Sequence, residues 1–270
     1  MLDRALLRFA LPGFVVALAA GCKSKGPAPG AIAFQLSARH PNVASGGDTA
    51  MRAAHRGPPV VFGDSLVAQG RDTIFLRRVR IVLSEMAIAP SVANECEVEE
   101  GEDNPPCVEY EDDPTLFDLP LGRRTVGLGA RRAPATDYNL FQLVVHKTDS
   151  VKDSALLRAN PDLAGLSVRL DGALSHGGAR HDFTFTTAFN EQEEIALDPA
   201  VVVPPGDTLR ITLRVDVGSW FTSGDRQTLL DPATAGPGGR NESTVRDNIR
   251  TSLKVFRDSN RDGLDDDNER

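Results

Sequence analysis

The residues best equipped for chemistry lie near the C-terminus, where Asp258-Ser259-Asn260-Arg261-Asp262-Gly263-Leu264-Asp265-Asp266-Asp267-Asn268-Glu269 sets oxygen ligands at alternate positions around a glycine. That spacing suits a hard cation, which collects several oxygens from a short loop turning sharply at Gly263. Asp258, Asn260, Asp262, Asp266 and Glu269 would offer side chains and Leu264 its carbonyl, with calcium as a structural ion. A solvated acidic tail is the competing reading. His176 and His181 flank Gly177-Gly178. Across a four-residue loop they would be neighbours able to grip copper or zinc together, although two imidazoles without a third ligand hold a metal weakly. Ser65, in Val60-Val61-Phe62-Gly63-Asp64-Ser65-Leu66, needs a base before it is a nucleophile, and no histidine follows His181. Trp220-Phe221 reads as a core plug.

Cysteine usage places this chemistry in a compartment. The leader carries Arg4 and Arg8, then an apolar run from Phe9 to Ala20 interrupted by Pro12-Gly13. It is too short for a comfortable membrane span and reads as a signal peptide. Leu18-Ala19-Ala20-Gly21-Cys22 resembles a bacterial lipobox, with Ala19 where leucine is commoner. The resemblance implies cleavage before Cys22 and a thioether-linked diacylglycerol on its sulfur. Two or more acyl chains anchor stably, since burial contributes about 0.8 kcal/mol per CH₂. Lys23 is not the aspartate that retains lipoproteins in the inner membrane, which points to the outer membrane. Cys96 and Cys107 are then the remaining pair, expected to join in an oxidising envelope and to contribute roughly 2–3 kcal/mol.

Composition narrows the partners. The chain has 270 residues, 40% hydrophobic and 25% charged, enough for one substantial core. Its formal net charge is -8 with no basic block outside the leader, which argues against nucleic-acid binding driven by phosphate neutralisation. The expected partners are the membrane, through the lipid, and an unidentified protein or ligand.

The elements that must position these residues read as strands. Ile32, Phe34 and Leu36 alternate; Thr73 to Ala89 forms a long strand with Val79, Ile81 and Leu83 on one face; Tyr138 to Lys147 alternates again, with His146 aimed outward. Ser167–Leu174 and His181–Phe189 suit a hairpin through the paired glycines, and Leu209 to Val217 alternates most strictly of all. Val245, Ile249, Leu253 and Phe256 recur at helical spacing behind Ser243 as N-cap. The expected fold is all-β, an antiparallel immunoglobulin- or prealbumin-like sandwich with one short C-terminal helix. Its division is a signal peptide over 1–21, a tether over 22–30, the sandwich over 31–257 with an acidic loop at 94–114, and the calcium-binding tail over 258–270. That loop reads as a solvated excursion, with cation or partner binding as the alternative.

The segment around Ser65 resembles the nucleophile block of GDSL lipases and esterases, which implies a strand-to-helix turn there and an Asp-x-x-His that the chain lacks. Residues 258–269 resemble an EF-hand or thrombospondin type 3 calcium loop. VDVGSWF, LLDPA and NIRTSLKVFRDSNRDGLDD together resemble a group of uncharacterised lipoproteins with a prealbumin- or immunoglobulin-like sandwich and an aspartate-rich ending. A fainter likeness to the copper-binding periplasmic partner proteins of methanobactin systems matches no particular residues. The function expected is a membrane-anchored, non-catalytic binding or structural module, ahead of a copper- or zinc-handling protein and a hydrolase.

Overall fold

The computed structural model describes residues 28–38, 60–62, 65–67, 73–91, 107–121, 125–224 and 228–267. An 18-residue strand, β4 (Thr73–Pro90), is the spine of the larger of two sheets. One of its edges pairs in turn with the short strands β3 (Ser65–Val67), β6 (Thr115–Asp118) and β5 (Val108–Glu111). The other edge pairs with β9 (Val168–His176) and then β8 (Asp137–Val145). Outside these lie β2 (Val60–Phe62) on β3, β10 (Ala179–Thr187) on β9 and β11 (Glu191–Val202) on β8. The strand can serve so many partners because it is long and its apolar positions alternate: Val79, Ile81 and Leu83 are fully buried on one face.

The smaller sheet runs β13 (Leu253–Arg257), β12 (Thr208–Val215), β1 (Gly30–Ser37), β7 (Val126–Ala133). Ile32, Phe34 and Leu36 turn inward from β1, and Leu209, Ile211, Leu213 and Val215 from β12. They meet the larger sheet directly, Phe34 stacking against Tyr110 and Phe141 with ring centroids 4.7 and 6.2 Å apart. Each fully buried side chain of this size contributes about 1.5–3 kcal/mol, so the seam between the sheets dominates stability. Trp220 and Phe221 close one end of it, both fully buried, with the Trp220 indole donating to Ser252 Oγ at 2.9 Å.

The fold is therefore the all-β sandwich expected, with three differences. β1 runs parallel to β12, Ile32 opposite Leu209, so the sheets are mostly rather than wholly antiparallel. The helix after the sandwich, α2 (Glu242–Thr251), follows Asn241 rather than Ser243 and stops before Leu253. Val245 and Ile249 are its buried face, whereas Leu253, Val255 and Phe256 belong to β13. The helical spacing runs on into a strand because Leu253 joins Val245 and Ile249 in the core, whereas Phe256 falls on the outer face of β13, under Arg214. A second short helix, α1 (Ser154–Ala159), lies in the 146–167 connection.

The outer face of the larger sheet is finished with ion pairs. Arg77 meets Asp182, Arg78 meets Asp118, Arg80 meets Asp162, and Arg169 meets Asp171. Of these only Arg80 is nearly buried.

Candidate functional site

The aspartate-rich end folds back onto the outer face of the smaller sheet. Asp258, fully buried, accepts from Thr212 Oγ1 at 2.8 Å, from the Gly263 N–H at 3.0 Å and from the Asp262 N–H at 3.1 Å. Gly263 sits at φ +79°, and a Cβ there would stand 2.8 Å from Ser37 Oγ, so glycine serves both the turn and the close approach to β1. Asn260 accepts from the Asp262 N–H, Asp262 from the Leu264 N–H and Asp266 from the Ser259 N–H, each at 2.8–2.9 Å. Asp267 pairs with Arg257 at 2.9 Å. The oxygen-rich donor set has the chemistry a hard cation requires, but the described carboxylates are turned toward backbone N–H groups and an arginine. Among the described residues no three of His, Cys, Asp and Glu converge closely enough to hold a metal ion. Glu269 lies outside the described residues.

A marked concavity lies elsewhere, on the larger sheet. A trough of about 710 Å³ lies across β5, β4, β8 and β11, floored by Ala87, Gln142 and Val144, while Met86 and Leu143 beside them turn their side chains into the core. Glu85, Glu109, Glu111 and Asp112 form one wall, and Glu193 and Glu194 the other, beside Arg250. Its volume falls in the range of small-molecule sites.

Local rules explain why carboxylates gather there. Ser84 is paired with Val144 and Ala87 with Gln142, so Glu85 and Met86 together oppose Leu143. This is a β-bulge. Alternation from Leu83 would have aimed Glu85 into the core; the extra residue ejects it, and Met86 takes the inward place at 1% exposure. Glu85 accepts φ +52° to do so, its N–H donating to the Asp112 carbonyl at 3.3 Å. On β5, Tyr110 turns inward to Phe34, which leaves Glu109 and Glu111 facing out on either side of it. Glu194 lies opposite Gln142, whose amide donates to it at 3.3 Å.

Charge is unevenly matched across the trough. Arg250 binds Glu193 and also Glu191, the latter at 2.7 Å, and these carboxylates hold its guanidinium above its ordinary pKa, chiefly through the Glu193 hydrogen bond. Glu85, Glu109, Glu111, Asp112 and Glu194 have no cationic partner among the described residues. The same sheet pairs several of its carboxylates with arginines a few strands away.

Gly177 and Gly178, at φ +57° and +87°, make a two-residue turn instead of the four-residue loop expected, so His176 pairs with Ala179 and His181 with Leu174. The histidines stand diagonally on one exposed face, without a third ligand close enough to complete a metal site among the described residues. His146, expected to point to solvent, is largely covered and bonds Asp153 at 2.8 Å. Ser65 begins β3, which pairs with β2 in a hairpin and with Phe75 of β4, rather than opening the helix that a GDSL nucleophile block implies. Cys22 and Cys96 lie outside the described residues, and the sulfur of Cys107, just before β5, is not a free thiol. No helix among the described residues is long and apolar enough to cross a membrane.

Sequence reasoning missed the trough. Its signal was present in two acidic stretches, Glu109-Tyr110-Glu111-Asp112 and Glu191-Gln192-Glu193-Glu194. Only the pairing of β4 with both β5 and β8 makes them opposite walls.

No protein-family model matches the chain, and no curated protein matches it in sequence. Among solved structures, MbnP from Methylosinus trichosporium is similar over 70% of this chain and 76% of its own, at 15% identity and a TM-score of 0.31. A likeness that distant transfers no function.

Proposed function

We propose that the chain is an envelope lipoprotein, anchored through acylated Cys22, which acts as a non-catalytic binding module with the acidic trough as its ligand site. The observation that carries this reading is a ligand-sized concavity in which Glu85, Glu109, Glu111, Asp112 and Glu194 have no cationic partner among the described residues. A rigid sheet holds those groups in place before any ligand arrives, which lowers the ordering cost of binding. The anchor rests on the lipobox resemblance and a Pro/Gly-rich tether, Lys23 to Gly30, ahead of β1.

Detergent-phase partitioning and mass spectrometry test the anchor: an acylated Cys22 is expected, and a Cys22→Ala form should leave the membrane. Wild-type protein recovered free with an unmodified Cys22 refutes it. Calcium in the C-terminal loop stays part of the proposal as a structural ion, supported by the oxygen donors of Asp258, Asn260, Asp262 and Asp266. Binding would require some of those oxygens to exchange N–H donors for the ion. Millimolar calcium should then raise the thermal midpoint by linkage, and Asp262→Ala should abolish the rise. Equal midpoints with and without calcium in wild type dispose of that part alone.

A further inference from the structure

The end of the sandwich where β1 begins carries an exposed surface without charge. From Pro199 to Gly206 no residue is ionisable, and Pro199, Ala200, Val202, Pro204 and Pro205 are exposed. Val201 and Val203, 5% and 1% exposed, face the core, so alternation turns Val202 outward at 56% exposure. The turn that follows packs against the first residue of β1: a Cβ on Gly30 would stand 2.5 Å from Val203 Cγ1 and 2.6 Å from the Pro204 carbonyl oxygen. The Ala31 N–H donates to the Asp207 carbonyl at 2.9 Å, and the Val203 N–H to that of Thr136 at 3.1 Å, which ties the uncharged stretch 133–136 to the same end. We infer that this end is a membrane-docking surface, whose valine and prolines rest in the headgroup layer of the bilayer that holds Cys22.

This rests on the reading of Cys22 as an acylated anchor. Gly30 follows Cys22 by eight residues, a length of chain that spans at most about 29 Å. The uncharged end is thereby held beside the lipid, whereas the β9–β10 hairpin lies at the opposite end of β4, where Thr73 pairs with Ser175. In a chain that is 25% charged, an uncharged and exposed run at this place marks a contact surface. Its lack of charge spares it the cost of desolvating ionised groups at the lipid boundary. Pro204 and Pro205 fix the shape of the loop in advance, so docking orders little that was free. Arg132, exposed and opposite Ala31 on β7, sets a guanidinium at the rim, at the level of lipid phosphates. Asp137 and Asp207, also exposed, mark the edge of the surface, where the carboxylates stay in water.

The test uses the full acylated chain reconstituted in vesicles of phosphatidylethanolamine and phosphatidylglycerol, with an environment-sensitive fluorophore on Val202→Cys or, for comparison, on Val151→Cys. Val151 is the more exposed valine, at 80%, and lies past Val145 at the far end of β8. A quencher carried on the lipid should reduce emission at 202 at least about 2-fold more than at 151, since an interfacial apolar segment sits about 5–10 Å into the boundary. Pro205→Asp places a charge in the surface and should bring quenching at 202 down to the level of 151, its thermal midpoint confirming the fold. Equal quenching at the two positions on vesicle-bound chain, or quenching at 202 that Pro205→Asp leaves unmoved, overturns the inference while the anchor stands. An unmodified Cys22 on a chain that does not sediment with vesicles sinks both. A blue shift at 202 that follows protein concentration in detergent, without lipid, assigns the surface to a second copy of the chain and overturns the inference as well.

Discussion

Replacing Asp258 by alanine should be among the most damaging single changes in the molecule, although the residue lies at the start of an acidic terminal segment. Its carboxylate is the acceptor shared by Thr212 Oγ1, the Gly263 N–H and the Asp262 N–H, at 2.8, 3.0 and 3.1 Å. Thr212 is fully buried, and so is the Asp258–Gly263 hydrogen bond. Removing the acceptor strands at least two buried donors, each at a cost of about 1–3 kcal/mol, so a loss of roughly 2–6 kcal/mol follows. Against a typical domain stability of about 5–15 kcal/mol that is a large fraction. Thr212→Val should cost less, about 1.5–3 kcal/mol, since two donors still hold the carboxylate. The two changes should be non-additive by about 1 kcal/mol or more, because they remove the same bond. Urea unfolding with a chelator present measures this without any contribution from calcium. A loss below about 1 kcal/mol for Asp258→Ala, or strict additivity with Thr212→Val, would refute the claim that this carboxylate fastens the terminal loop to the sheet.

Other consequences are equally accessible. Gly172→Ala should destabilise by about 1–3 kcal/mol in urea, because its Cβ would stand 2.6 Å from the Phe75 carbonyl oxygen and 2.9 Å from the Phe183 ring. Glu85→Gly should stabilise or leave stability unchanged, by up to about 1 kcal/mol in urea unfolding, since glycine adopts φ +52° freely. Asp162 is held below the ordinary carboxylate value, first by its hydrogen bond to Arg80. A depressed folded-state pKa gives stability that is present above the ordinary value and lost as pH falls through the lowered one. Urea midpoints of wild type should therefore decline below about pH 4, and Asp162→Asn should flatten that decline. Non-reducing peptide maps should recover Cys107 cross-linked to Cys96, and two free thiols would refute the pairing.

Strict alternation makes β1, β4, β8 and β12 legible, because one buried face forces apolar residues to every second position. The β9–β10 hairpin is legible from Gly177-Gly178, though the turn is two residues long, which moves His176 and His181 off direct register. β11 is invisible: Glu191-Gln192-Glu193-Glu194 reads as solvent-exposed chain, yet it pairs with β8, and its charges sit on an outermost strand where they also discourage a further strand from adding. β7 reads as turn-rich because of Gly127 and Gly129; its side chains are mostly exposed, so no hydrophobic pattern marks it. The aspartate-rich loop is recognisable by spacing alone, and spacing does not reveal that Asp258 is engaged by Thr212, a residue distant in sequence. The trough escapes for the same reason, since each wall is ordinary until the two are opposed.

The parallel pairing of β1 with β12 joins residues from opposite ends of the chain, Ile32 with Leu209 and Leu36 with Leu213. A chain made N-terminus first delivers Ile32, Phe34 and Leu36 long before their partner strand exists. Until β12 arrives, β7 alone can pair with β1, and one edge and one apolar face of β1 stay open. Assembly of the smaller sheet is thus a late event governed by the slow closure of a long loop. During synthesis the first strand of the domain is the one most in need of shelter, and any factor that holds it extended until the last third of the chain emerges would set the yield of folded protein.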